Sequence, residues 1–348
     1  MRAAPASTQY RDQAGSAVGA SALHQGLRRL TQPGATGPGP ARLTGRAGLG
    51  PLLLALAYLF LAPPAFLLGP LAGLLAFSRP STFREWAWLG LATLWLGAWL
   101  EPSGTVVEQV LRAAGVLVTG AFVAVSLAWR APLFRRAVVA LGLAAVALGL
   151  WCAALRLDWP ELKSAVARDV ARSLTDLATQ ADAAGGQDSG DLLRQMGNGA
   201  ATWAALMPAL LWLNALAGVV LGWWLYYRIA TRPFGDPPAP FATFRFSDQV
   251  VWLPVLGLGL VLLHTPPVLH DVGGNLLLVA TALYAARGLA VVRAGAGRLP
   301  RVTTAFVTVV ALFLLPFVLG GLTLLGLADT WLDFRRRPAS PATGGFDR

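Results

Sequence analysis

Charged side chains are scarce in this sequence. Only 13% of its 348 residues are charged and 55% are hydrophobic, whereas a soluble domain carries about 25% charged residues. Uncharged apolar runs of about 20 residues indicate transmembrane helices, because only a helix satisfies its own backbone hydrogen bonds in lipid. The composition therefore excludes an ordinary soluble domain and predicts a polytopic membrane protein.

Cysteine and lysine are almost absent. The single cysteine, Cys152, excludes disulfides and cysteine metal clusters within one chain. Lys163 is the only lysine, so the net charge of +11 comes from arginines. These arginines cluster at the ends of apolar runs, as the positive-inside rule requires. No basic stripe alternates with exposed aromatics, and we expect no nucleic-acid partner.

Motifs for hydrolysis or nucleotide binding are also missing. There is no H-E-x-x-H, no G-x-S-x-G and no P-loop. We predict no enzyme, no catalytic residue and no cofactor, although an intramembrane enzyme of another type stays open. His264, His270 and Asp271 share one loop and could bind a metal, but nothing fixes their geometry, and we predict no metal site.

The apolar segments predict an all-α bundle of eight or nine hydrophobic segments, of which the first and last are broken. Prolines interrupt the first at Pro63-Pro64. The eight runs are Gly50–Phe77, Trp86–Leu100, Thr105–Trp129, Arg136–Leu155, Ala200–Tyr227, Gln249–Leu263, Gly274–Val292 and Val302–Leu327. The predicted regions are a disordered arm (1–48), N-terminal transmembrane helices (49–155), an extramembrane part (156–199), C-terminal transmembrane helices (200–334) and a polar tail (335–348).

The extramembrane part contains an amphipathic pattern. Apolar residues recur at three- and four-residue steps after Pro160, which can occupy the first turn of a helix. They are Leu162, Val166, Val170, Leu174 and Leu177. This helix either packs on the surface of the bundle or binds a partner, and both interpretations stay open.

The distribution of arginine predicts the orientation. A cytoplasmic N-terminus in the inner membrane places the arginine-rich links at 79–84, 130–136, 228–245 and 293–301 inside. The acidic part 156–199 and His264–Asp271 then lie outside. Arg335–Arg337 would also lie outside, unless the last segment doubles back near Pro316.

Four polar residues within the C-terminal spans are candidate ligand-binding residues: Asn214, Asn275, Tyr284 and Arg287. An arginine inside a span usually faces the bundle interior or an aqueous cavity, and Tyr284 shares its helix face. Alternatively, Arg287 snorkels to a nearby interface. Asn214 is also suited to an interhelical hydrogen bond, and Asn275 to capping its span.

Two further patterns concern packing. Small residues recur at four-residue steps at Gly69/Gly73 and Gly218/Gly222, which allows close helix approach. Aromatic residues close the span that begins at Ala200, and we interpret them as an interface belt. They are Trp223, Trp224, Tyr226 and Tyr227.

The C-terminal half resembles the YybS-like family of bacterial membrane proteins. The resemblance rests on an asparagine-led span with Asn275 and Gly288-Leu289, and on a closing motif with Leu325-Gly326, Asp329 and Arg335-Arg336. At position 287 the family pattern leads us to expect glutamine, which argues against a charge-based role for Arg287. The family is distantly similar to the substrate-binding S-components of energy-coupling-factor transporters.

These features support two functional hypotheses. The first is a transport component that binds a small molecule between its C-terminal helices and, having no P-loop, depends on a membrane or ATPase partner. The second is a membrane scaffold that acts through part 156–199 or through its small-residue helix faces. The lipid bilayer is the only other partner that we expect.

Overall fold

The computed structural model describes residues 50–99, 104–183, 187–263, 266–295 and 301–334. Within these ranges all regular structure is helical, which confirms the all-α prediction. The chain divides into two units, Met1–Leu52 and Leu53–Arg348, and nearly all of the described helical structure belongs to the second unit. The predicted arm at 1–48 and the arginines Arg335–Arg337 lie outside the described residues.

Twelve α-helices occupy the described ranges. They are α1 (Gly50–Leu61), α2 (Ala65–Phe77), α3 (Phe83–Trp99), α4 (Val106–Ala128), α5 (Leu133–Ala154), α6 (Trp159–Ala183), α7 (Gln187–Asn198), α8 (Ala200–Ile229), α9 (Trp252–Leu262), α10 (Pro267–Gly295), α11 (Arg301–Phe313) and α12 (Leu315–Leu332). Short 3-10 turns at Phe241–Thr243 and Asp248–Val251 lie between α8 and α9.

Fewer helices are long enough to cross a membrane than the eight or nine segments that the sequence predicts. Within the described ranges five helices meet the length and composition of a span, namely α4, α5, α8, α10 and α12. The predicted breaks are present. The first segment divides at Pro63-Pro64, and the last divides at Leu314, two residues before Pro316.

Helix α2 lies at the centre of the N-terminal core. Ten of its 13 residues are buried, and it packs against α3, α4 and α8. Its contact with α8 depends on small residues: a Cβ on Gly218 would lie 2.8 Å from the Phe66 carbonyl oxygen, and one on Gly222 would lie 3.0 Å from the Leu67 carbonyl oxygen. The Gly218/Gly222 spacing therefore does allow close approach, as predicted.

The arginine-rich links at 79–84, 130–136 and 228–245 meet at one end of this unit, which we call the basic end. Arg84 Nη2 donates to the carbonyl oxygen of Ile229 at 2.7 Å. The rings of Phe134 and Phe244 meet edge to face with centroids 5.2 Å apart. At the opposite end, Lys163 at the start of α6 pairs with Asp271 of α10 at 2.7 Å.

Helices α10 and α12 run in the same direction. Thr323 donates to the Thr281 carbonyl oxygen and Arg287 donates to Asp329, and both pairs are separated by 42 residues. Antiparallel helices would instead show separations that change steadily along the contact. The C-terminal end of α12 therefore lies at the same end of the unit as that of α10, in agreement with a chain that doubles back.

The prediction that the aromatic residues at the end of α8 form an interface belt is wrong for two of the four. Trp223 and Tyr226 are fully buried, with no exposed surface, whereas Trp224 and Tyr227 are half-buried. The guanidinium of Arg136 lies 4.2 Å from the centre of the Trp223 ring, a cation–π contact within the protein. Packing against α5 and the 228–245 link draws these two rings inward, which a one-dimensional pattern of aromatics does not reveal.

Candidate functional site: a buried arginine and aspartate between α10 and α12

A buried ion pair joins α10 to α12. Arg287 Nε donates to Asp329 Oδ2 at 2.9 Å, and Arg287 Nη2 donates to the carbonyl oxygen of Asp329 at 3.1 Å. Arg287 is 3% exposed and Asp329 is 1% exposed. Removing one partner from such a pair leaves an unpaired buried charge, which typically costs about 3–5 kcal/mol. The pair therefore constrains both the distance and the register of the two helices.

Glycines let the two helices approach closely enough for this pair to form. A Cβ on Gly326 would lie 2.0 Å from the Tyr284 carbonyl oxygen, and a Cβ on Gly288 would lie 2.0 Å from the Leu322 carbonyl oxygen. Both obstacles are backbone atoms, so they cannot move aside as a side chain can. Glycine is thus required at both positions where the helices cross, with Gly288 directly after Arg287 and Gly326 three residues before Asp329.

A segment of the link between α8 and α9 covers this site, and we call it the 244–248 segment. The Phe246 ring meets the Tyr284 ring edge to face with centroids 5.3 Å apart, and it lies 5.3 Å from the Arg287 guanidinium. Arg245 pairs with Asp333, just beyond α12. The segment is thereby attached to both helices of the ion pair.

The third nitrogen of the Arg287 guanidinium has a different environment. Nη1 is buried and has no hydrogen bond. It lies 3.6 Å from Asp248 Oδ1, which is beyond hydrogen-bond distance. The Asp248 side chain is 76% exposed. The guanidinium is thus fixed by Asp329 on one side and faces a solvent-exposed carboxylate on the other.

These contacts distinguish between the two interpretations of Arg287. A snorkelling arginine would extend to an interface and leave its guanidinium exposed, but this guanidinium is buried and ion-paired. Tyr284 is 1% exposed and shares the Phe246 contact, so the structure does bring Tyr284 and Arg287 together. Among the described residues, no hydrogen bond, ion pair or ring contact connects them to the side chain of Asn214 or Asn275.

Asn275 does not cap its helix. The prediction of a cap is wrong because α10 begins earlier, at Pro267. The Asn275 Oδ1 accepts from the Ala209 amide at 2.8 Å, and its Nδ2 donates to the Ala205 carbonyl oxygen at 2.7 Å. Residues 205 and 209 are the i and i+4 partners of an ordinary helical bond, and Pro208 lies between them. The Asn275 amide thus bridges α8 where a proline disturbs it.

Asn214 lies apart from this group. Its carbonyl oxygen accepts a hydrogen bond from Tyr58 at 2.8 Å, and its side chain is half-buried. An open cleft of about 500 Å³ lies between α4 and α5, and none of the four candidate residues lines it. Its lining residues are Gln109, Arg112, Ala113, Val116, Leu117 and Trp151. Asn214, Tyr284 and Arg287 thus do not share this cleft.

The predicted loop of histidines is only partly described, because His264 lies outside the described residues. Among the residues that the structure does describe, no group of three or more metal-ligating side chains occurs. Asp271 is instead engaged by Lys163 at 2.7 Å and by the Trp159 indole nitrogen at 3.3 Å.

The sequence pattern placed Asp329 only in the closing motif of the family resemblance, and it did not single out Asp248 or Phe246. Asp329 falls two residues beyond the predicted end of the last span at Leu327, so the pattern does not predict it as an intramembrane charge. The signal was present, because two opposite charges in neighbouring apolar segments are expected to pair. Phe246 and Asp248 gave no such signal, since only folding of the link brings them onto α10.

Substitution of Gly326 by alanine tests the close crossing. The added Cβ would meet the Tyr284 backbone, so we expect the free energy of unfolding in detergent to fall by about 1–3 kcal/mol. Gly320→Ala is the matched control on the same helix, because a Cβ there has nothing within 4 Å. Equal stability of the two variants would contradict the crossing.

Substitution of Asn275 by alanine tests the bridge to α8. It removes the partners of the Ala209 amide and the Ala205 carbonyl, and we expect a loss of about 1–3 kcal/mol in unfolding free energy. Asn214→Ala is the control, because the Tyr58 hydrogen bond uses its main-chain oxygen. If Asn275→Ala were no less stable than Asn214→Ala, the bridge would make no contribution to the free energy of unfolding, which would contradict its proposed role.

Comparison with known proteins identifies the family. The model of the family described as "Predicted membrane protein (DUF2232)" matches residues 52–330. No curated protein and no solved structure matches the chain. The matched range includes both members of the Arg287–Asp329 pair and both glycines of the crossing. The chain therefore belongs to the DUF2232 family of predicted membrane proteins.

Proposed function

We propose that the protein is a transport component of the inner membrane that binds a small molecule at the end of the α10–α12 crossing, beneath the 244–248 segment. The proposal also draws on the resemblance to the YybS-like family, and on the distant similarity of that family to the S-components of energy-coupling-factor transporters. The sequence holds no P-loop, so a membrane or ATPase partner would supply the energy.

One observation carries the proposal. Arg287 Nη1 is a buried donor without a hydrogen bond, and it is oriented by two hydrogen bonds from the same guanidinium to Asp329. A donor that is already fixed in place binds a ligand with little loss of conformational entropy. Charges inside spans are costly and usually mark substrate or ion pathways. This unpaired donor therefore favours a ligand-binding site over an ion pair with only a structural role.

The placement of the site supports an orientation. The basic end carries the links that the positive-inside rule assigns to the cytoplasm. The 244–248 segment continues directly from the 228–245 link of that end. We propose that the N-terminus is cytoplasmic and that the site opens towards the cytoplasm.

The experiment is recovery of a bound metabolite. The protein is purified in detergent, and small molecules released by denaturation are identified by mass spectrometry. We expect a stoichiometric compound from the wild type and from Arg293→Gln, an exposed arginine on the same helix. We expect it to be lost from Arg287→Gln, because the buried donor is gone.

Thermal unfolding accompanies each sample, so that a misfolded variant is recognised. Arg287→Lys, which retains the charge, serves as the second variant if Arg287→Gln does not fold. A wild-type protein that carries no compound, or a folded Arg287→Gln protein that retains the same compound in full, would contradict the proposed function.

A scaffold role is the second candidate, and the hairpin of α6 and α7 favours it. Lys163 and Trp159 hold the start of α6 against Asp271 of α10. Large apolar side chains on the hairpin nevertheless stay exposed, namely Leu177 at 50%, Leu192 at 59% and Met196 at 42%. Crosslinking in native membranes separates the candidates. A stoichiometric protein partner that is lost on deletion of residues 160–181 would favour the scaffold.

A further inference from the structure

We infer that the ligand of this site carries a carboxylate, and that this carboxylate takes the place of Asp248 beside Arg287. The inference rests on the proposed function and names its substrate class. In this view Asp248 is a built-in competitor, which occupies the guanidinium until a small-molecule carboxylate displaces it.

The geometry around the guanidinium separates a permanent contact from an exchangeable one. Nε and Nη2 are held by Asp329 at 2.9 and 3.1 Å, deep in the protein. Nη1 is 3.6 Å from Asp248 and makes no hydrogen bond. A ligand carboxylate can approach Nη1 to about 2.7–2.9 Å, the usual length of a charge-assisted hydrogen bond. The ligand would therefore make a contact that Asp248 does not.

Asp248 can leave without unpacking the segment that carries it. Phe246 stays packed against Tyr284, and Arg245 stays paired with Asp333. The Asp248 side chain is already 76% exposed, so its rotation into solvent buries no new charge. Solvent and salt then screen its repulsion of the incoming anion.

The charge around Arg287 makes this exchange necessary. Asp329 already neutralises the guanidinium, and Asp248 adds a second negative charge beside it. A third carboxylate added to this group would be repelled. Replacement of Asp248 by a ligand carboxylate leaves the local charge unchanged. Phosphate also suits a guanidinium, but the group that the structure places against Nη1 is a carboxylate.

The test uses the Asp248→Asn variant of the full chain in detergent, with benzoate, succinate and acetate as probes. Benzamide, succinamide and acetamide are the neutral counterparts, and inorganic phosphate is the alternative anion, all at constant ionic strength. Asp236→Asn, an exposed aspartate of the same link, is the matched control. Binding is followed by calorimetry and by the shift in thermal unfolding.

We expect at least one carboxylate to bind Asp248→Asn roughly fivefold more tightly than it binds the wild type, as loss of a competing exposed ion pair predicts. The amides should not bind, and Asp236→Asn should behave as the wild type does. Addition of Arg287→Lys to Asp248→Asn should weaken carboxylate binding, because lysine cannot reproduce the oriented nitrogen.

Three results would overturn the inference. They are equal binding of amides and carboxylates, equal affinity in Asp248→Asn and the wild type, and preference for phosphate over every carboxylate. A neutral metabolite that co-purifies with the wild type and is lost from Arg287→Gln, while carboxylates fail to bind, would support the proposed function and reject only the inference of a carboxylate ligand. Failure of all probes, together with no co-purified compound, would remove both.

Discussion

The C-terminal half of the protein depends on the ion pair between Arg287 and Asp329, because neither charge can be buried alone in an apolar bundle. Each group requires the other, so the pair determines which faces of α10 and α12 meet. The glycines at 288 and 326 follow from this requirement, since only a close crossing brings the guanidinium within hydrogen-bond distance. The 244–248 segment then covers the pair and limits its contact with water.

The same half uses polar side chains to repair helices as well as to bind charges. Pro208 lacks an amide hydrogen and disturbs the helical bonding of α8, and the Asn275 amide bonds to the backbone on both sides of it. Helix α10 thus contacts α8 through Asn275 near one end and α12 through Arg287 near the other. A helix held at both ends by polar contacts has a fixed position in the bundle, and so do the residues between them, Tyr284 among them.

Hydropathy and proline positions predicted the all-α class and the breaks in the first and last segments, because apolar length and proline act locally along the chain. The count of eight or nine hydrophobic segments stays a prediction, because five helices of the described ranges have the length and composition of a span and other apolar helices, such as the buried α2, are shorter. The sequence pattern identified Tyr284 and Arg287 as one face of a helix from their spacing. It did not predict Asp329 as the partner of Arg287, because the predicted span ends at Leu327. It gave no indication of Asp248 and Phe246, whose positions depend on tertiary folding of a link.

The most direct test of the central role of the ion pair is a double-mutant cycle in detergent with Arg287→Met, Asp329→Leu and the combined variant. Arg287→Met leaves the Asp329 carboxylate buried without its arginine, and Asp329→Leu leaves Arg287 with only the exposed Asp248 at 3.6 Å. We therefore expect the free energy of unfolding to fall by about 3–5 kcal/mol for each single change. The combined variant buries no charge and should lose much less than the sum of the two. Losses that simply add would show that the two side chains do not stabilise each other, and would contradict the central role of the pair.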